Sequence, residues 1–217
     1  MKITKVFLLI SLLFFSCQTA EEKGSRVASL PYYNEASFTP HWMEPGSSDL
    51  ANFHTISDFS LMNQEGETIT QKTFENKIYI TDFFFTYCTG ICPKMTANME
   101  VVQEAFLNDL DVLLLSHSVT PEHDSIPVLK FYAETKGVVS GKWHLVTGSV
   151  EEIYRLGRAD YFVEEDLGIA KDSEDFLHTE NFVLIDKNRH IRGIYNGLNR
   201  ADIDQLIEDI KTLKKES

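Results

Sequence analysis

Cys88 and Cys92 stand in the run Tyr87-Cys88-Thr89-Gly90-Ile91-Cys92-Pro93, two thiols with three residues between them. Such a pair has two chemistries. It can give up two electrons and two protons and close as a disulfide, or its thiolates can grip a soft metal ion. Residues four apart on a regular helix hold their Cβ atoms about 5–6 Å apart, whereas a disulfide wants roughly 3.5–4.5 Å. A bridge therefore requires the loop at Gly90 to tighten. Two metal–sulfur bonds of about 2.3 Å span the gap more readily. Spacing alone leaves both chemistries open.

The elements that must position the thiols can be read around them. Residues 78–85 form a nearly continuous apolar and β-branched run, as expected of a strand covered on both faces. After Pro93, which suits a first helical turn, Met95, Met99, Val102, Ala105 and Phe106 recur at helical spacing. Residues 112–115 make a second buried strand, giving a βαβ unit. The thiols thus fall where a strand hands over to a helix, where amide N–H groups and the positive end of the helix dipole favour thiolate.

Upstream, residues 54–61 alternate, 63–66 read as a turn and 68–70 resume, predicting a hairpin. Downstream, helices are predicted at 126–135 and 150–156, strands at 182–185 and 191–195, and a final helix at about 200–213. Hairpin, βαβ, helix, hairpin and helix in that order describe an α/β protein with a thioredoxin-like fold and an N-terminal β-hairpin extension. Two thiolates leave a metal under-coordinated, so a third donor is needed. Of the seven histidines, His41 lies in a polar stretch, His54 on a strand, His117 and His144 at strand ends, His123 in a polar loop and His190 in a turn. All six read as solvated or packed imidazoles. His178 differs, because it directly precedes the strand at 182–185, where this fold brings a loop up against the thiols.

The chain has 217 residues, 43% of them hydrophobic, enough for one domain with a real core plus modest extensions. A formal charge of -13 and the lack of a basic face exclude a nucleic-acid partner. Lys2 and Lys5, the apolar run at 6–15 and Ser16-Cys17 have the three regions of an export signal, too short to span a bilayer. Phe14-Phe15-Ser16-Cys17 resembles a bacterial lipobox, with Phe14 where Leu is usual. The expected organisation is a lipoprotein signal peptide at 1–16, a tether at 17–50 anchored through lipid on Cys17, and the folded domain at 51–217. The protein then sits in the bacterial cell envelope facing the periplasm. Cys88 and Cys92 remain as each other's only intramolecular partners in an oxidising compartment.

Thr86 to Pro93, Ser118-Val119-Thr120-Pro121-Glu122-His123-Asp124, Trp143-His144-Leu145-Val146-Thr147-Gly148 and His178-Thr179-Glu180-Asn181-Phe182-Val183-Leu184-Ile185-Asp186 stand in the order and spacing of one family. Over about residues 53–213 the chain resembles the Sco (SenC) copper chaperones. The resemblance implies that Cys88, Cys92 and His178 bind one copper ion per chain, as Cu(I) or Cu(II). It also implies support for assembly of the dinuclear copper centre of cytochrome c oxidase. The implied partners are a copper-receiving subunit of a terminal oxidase, a copper donor, and the membrane through the anchor. Two soft thiolates and an imidazole suit copper, and no fourth protein ligand closes the set as in structural zinc sites. Thr120 and Leu177 depart from the family, which usually has acidic residues there; the second removes a carboxylate that would support the histidine.

Two rival readings share the thiols. One is a thiol-disulfide oxidoreductase with Cys88 and Cys92 as its redox-active pair, which form a disulfide when oxidised. Against it, the usual oxidoreductase motif has two intervening residues and a preceding Trp, where this chain has three and Tyr87. The other is a copper or redox sensor. A peroxidase is disfavoured because Thr81 and Phe85 occupy the places of its motif's Pro and Thr. Met95 and Met99 read as core, His41-Trp42-Met43 as an aromatic contact in the tether, and the acidic run at 164–175 as a solvated loop.

Overall fold

The computed structural model describes residues 24–163 and 179–216. The signal peptide, Cys17, the acidic run, Leu177 and His178 lie outside the described residues. The strands are β1 (Ser60–Asn63), β2 (Thr68–Thr70), β3 (Ile78–Phe84), β4 (Val112–Ser118), β5 (Trp143–Thr147), β6 (Asn181–Ile185) and β7 (Ile191–Asn196). The helices are α1 (Cys92–Ala105), α2 (Ile126–Thr135), α3 (Val150–Arg155) and α4 (Arg200–Glu216). One sheet runs in the order β2-β1-β5-β4-β3-β6-β7. Its centre, β5, β4 and β3, is parallel, and β1 and β6 flank it antiparallel.

Every residue of β3, β4 and β5 is buried, as a strand covered on both faces requires. Alternation divides them between two cores. Ile78, Ile80 and Phe84 face the side covered by α1, α2 and α4, with Met95, Met99, Leu129, Leu206 and Ile210. Tyr79 and Phe83 face the other side, with Phe59, Phe74, Ile153 and Tyr161. Met95 and Met99 are 1% and 0% exposed, so they are core residues.

Three expectations change. The hairpin strand begins at Ser60 instead of residue 54, and His54 is not on a strand. The backbone before it is held by a loop: Ser57 N–H donates to Asp160 Oδ1 at 2.8 Å and Ile56 N–H to the Arg189 carbonyl at 3.0 Å. Its turn is built by Asn63, whose Oδ1 accepts from the N–H groups of Glu65 and Glu67, with Gly66 at φ 78°. Trp143–Thr147 is a full strand where the sequence suggested only a strand end at His144 and the predicted order of elements had none; its pairing with both β4 and β1 joins the hairpin to the central sheet. Finally, packing begins well before residue 51. Arg192, 3% exposed at its side chain, donates to the carbonyls of Leu30 and Pro31 and to Asp186 and Glu216, and lies 3.8 Å from the centre of the Tyr32 ring.

His117 is fully buried on β4, stacked on Phe83 at 4.7 Å, with Nδ1 3.0 Å from Thr81 Oγ1. Burial pushes its pKa down to about 3. The unfolded chain then binds the proton first, so this contribution to stability is complete above about pH 6.5 and is lost as pH falls toward 3. Comparing His117→Phe with the parent by urea titration isolates the group. From pH 7 to pH 5 the variant should gain about 2 kcal/mol on the parent, on top of a pH-independent offset. A difference that does not change with pH would show that His117 takes up its proton in the fold as readily as in the unfolded chain.

Candidate metal centre

The thiol loop occupies the C-terminal end of β3. After Phe84 the chain turns at Thr86 and Tyr87, Cys88 N–H approaching the Phe85 carbonyl at 3.4 Å, and α1 begins at Cys92. Cys88 thus lies outside the helix, so the separation of residues on a regular helix does not apply. Both cysteines are free, and their thiols are within hydrogen-bond reach of each other. Ile91, the residue that caps α1, has no side-chain acceptor for the first turn. The N–H groups of Gly90, Ile91 and Cys92 instead act on the Cys88 sulfur and favour its thiolate. A Cβ at Gly90 would sit 3.9 Å from that sulfur.

The two thiols are electrostatically unlike. At Cys88, burial acts to raise the pKa, but hydrogen bonds from the Cys92 thiol and the three N–H groups outweigh it and leave the thiol below its ordinary value. Cys92, 4% exposed, is pushed up to about 12, first by burial, then by its bond to Cys88 and by the charges of Cys88 and Asp82. Cys88 is therefore the accessible nucleophile and Cys92 the buried proton carrier.

Asp82 lies under this site on the α1 face of β3. Its carboxyl accepts from Ser116 Oγ, which in turn accepts from Trp143 Nε1 at 2.8 Å. Burial lifts Asp82 to about 7 despite the Ser116 bond. Periodicity alone could not single out this residue, because Asp82 occupies an ordinary alternate position inside an apolar strand. A lone carboxylate amid residues 78–85 was the available signal.

Around the thiols the surface is open and partly apolar, with Tyr87 55% and Ile91 39% exposed. Tyr87 leans on His123, ring centres 5.5 Å apart. A cleft of about 540 Å³ lined by Phe59, Lys72, Phe74 and Arg189 lies at the opposite end of β3. Among the described residues no group of three His, Cys, Asp or Glu could hold a metal. The six described histidines are thus not gathered on the thiols: His117, His144 and His190 are packed in the interior, and His54 bonds the Asp160 carbonyl. No helix among the described residues is long and apolar enough to cross a membrane.

A thiol pair at the exit of a central strand, with the second thiol opening a helix, defines a thioredoxin-like protein. Comparison narrows this. The SCO1/SenC family model matches residues 47–215, and the chain belongs to that family. A SCO1/SenC family lipoprotein from Bacillus anthracis str. Ames superimposes with a TM-score of 0.65 and 30% identity, over 74% of this chain and 95% of that one. BsSco, a member of the Sco family of cytochrome c oxidase assembly proteins in which a disulfide switch was identified, gives 0.64 and 28%, over 75% and 94%. Copper-bound ScoI of Arabidopsis thaliana gives 0.56 and 25%, over 71% and 97%.

Proposed function

We propose that this protein is a membrane-tethered copper metallochaperone that binds one copper ion and supports assembly of the dinuclear copper centre of cytochrome c oxidase. The observation that carries the reading is the thiol pair itself: two free cysteines, Cys88 partly exposed and Cys92 buried beside it, at the strand-to-helix handover of a SCO1/SenC chain. Soft thiolates select Cu(I), and a shallow site can pass its ion to a partner by ligand exchange. Copper in the Arabidopsis ScoI structure and the assembly role attached to BsSco support it. The copper is cargo, held by Cys88 and Cys92 and completed by His178. The position of β6 in the sheet supports His178 as the third ligand. β6 runs antiparallel to β3, so its first residues lie at the same end of the sheet as the thiol loop. There the Gly197 N–H donates to the Glu180 carbonyl at 2.7 Å, and the Gly197 carbonyl accepts from Asn98 of α1 at 2.6 Å.

Lipid on Cys17 would place the protein on the periplasmic side of the cell envelope; the lipoprotein among its structural neighbours supports this. His178→Ala is expected to weaken Cu(I) binding by roughly 10–100-fold or more, since loss of even an outer partner costs that much. It should also shift the Cu(II)–thiolate charge-transfer band. An unchanged affinity and spectrum would remove His178 from the site.

The unlike thiols favour a second reading, thiol-disulfide exchange. Cys88 thiolate attacks a partner disulfide, releasing one partner thiolate, which takes up a proton. Cys92, on losing its proton, then attacks the Cys88 sulfur of the mixed disulfide. The Cys88–Cys92 bond closes, the partner leaves fully reduced, and two electrons have passed from the pair to the partner. His178 is dispensable for that activity and either cysteine is not. In a deletion strain, recovery of oxidase activity with added copper favours delivery, and recovery with an external thiol reductant favours reduction.

A further inference from the structure

We propose that Asp124 is a positioning residue for the thiol site, holding the turn that carries Cys88; the copper part of this inference rests on the metallochaperone reading. Asp124 is completely buried, yet no cation is paired with it in the hydrogen bonds of the described residues. Its carboxylate is met instead by four neutral donors from three places. Oδ1 accepts from Thr86 Oγ1 at 2.5 Å. Oδ2 accepts from the Thr86 N–H at 3.2 Å, Ser118 Oγ at 2.6 Å and Thr120 Oγ1 at 3.2 Å.

Four donors match the roughly four lone-pair sites of an ionised carboxylate. Their placement matters more than their number. Ser118 ends β4 and Thr86 lies just past the end of β3, where Phe84 and Ser118 are paired neighbours. The carboxylate therefore joins the exits of two adjacent parallel strands, and it grips Thr86 twice, by amide and by hydroxyl. A two-point grip fixes the orientation of the turn, and the turn sets where the Cys88 sulfur points, two residues on. The loop after β4 is folded to deliver the carboxylate: the N–H groups of His123 and Asp124 both donate to the Thr120 carbonyl, at 2.9 and 3.0 Å. His123 meanwhile backs the Tyr87 ring. Thr120, where the family usually has an acid, donates to Asp124 a hydrogen bond that an ionised aspartate could not supply.

The test uses the Thr86 hydroxyl, whose removal leaves the carboxylate, its other donors and the fold in place. Parent, Thr86→Val, Thr86→Ser and Asp124→Asn proteins are equilibrated with reduced and oxidised glutathione, giving the Cys88–Cys92 dithiol–disulfide constant without metal. The same proteins are then titrated with Cu(I) against a competing chelator. Thr86→Val is expected to shift the thiol constant about tenfold or more and to weaken Cu(I) binding by roughly 10–100-fold, and Thr86→Ser is expected to restore both. Should Asp124→Asn fail to fold, the Val and Ser pair still decides. Parental values for both measurements in folded Thr86→Val overturn the proposal, as does a loss that Thr86→Ser does not repair. If the parent binds no Cu(I), the metallochaperone reading fails, and the glutathione constants alone judge Asp124.

Discussion

Cys88→Ser and Cys92→Ser are each expected to lower the affinity for Cu(I) by well over the roughly 10–100-fold that loss of an outer partner costs. Serine offers a hard oxygen that stays protonated at neutral pH, so the soft donor is lost and no anion replaces it. The two variants should nevertheless behave differently. Cys88 is partly exposed with a lowered pKa, whereas Cys92 is buried and pushed up to about 12. Alkylation by iodoacetamide at pH 7 should be fast in the parent and in Cys92→Ser, and slow in Cys88→Ser. Metal binding must also displace the Cys92 proton, so apparent affinity should rise at least about tenfold per pH unit between pH 6 and 8. A chelator competition series across that range measures it; a flat profile would show that Cys92 is not a ligand.

Asp82→Asn is expected to stabilise the protein at pH 8 and leave it nearly unchanged at pH 4. The folded-state pKa of Asp82 is about 7 against an ordinary 3.8, so between those values the folded state binds more protons than the unfolded one. Stability therefore falls as pH rises through that window, and above pH 7 the buried carboxylate costs on the order of 4 kcal/mol. Asparagine keeps an oxygen for Ser116 Oγ without the charge. Denaturant midpoints at the two pH values test this; equal shifts at both would place the effect in packing. The window overlaps that of His117 with opposite sign, so the two groups together flatten the pH dependence of the parent and only the variants reveal them. Removing the Asp82 charge also takes away one of the influences that raise Cys92.

Much of this architecture was legible because its signals are local. Residues 78–85 were apolar enough to demand burial on both sides, and Pro93 marked the start of α1. The strand Trp143–Thr147 was legible only as a strand end at His144 and not as a member of the sheet, because five residues interrupted by His144 carry little periodic signal; its partners β4 and β1 are distant in sequence. The hairpin was read too long for a related reason: alternation at 54–59 comes from a loop whose backbone bonds go to Asp160 and Arg189. Of the site, the two cysteines could be found by spacing and the helix start. Asp82 offered only the signal of a lone carboxylate in an apolar run, its effect depending on what covers the sheet, and Asp124 offered none, since its role depends on three hydroxyls converging from separate segments.

The central claim is that one copper ion is held by the sulfur atoms of Cys88 and Cys92. X-ray absorption at the copper edge, on the full chain loaded anaerobically with one equivalent of Cu(I), addresses the ligand atoms directly. The predicted result is a coordination shell of two sulfurs and one nitrogen, with the nitrogen lost in His178→Ala. A shell with one sulfur or none would contradict the account.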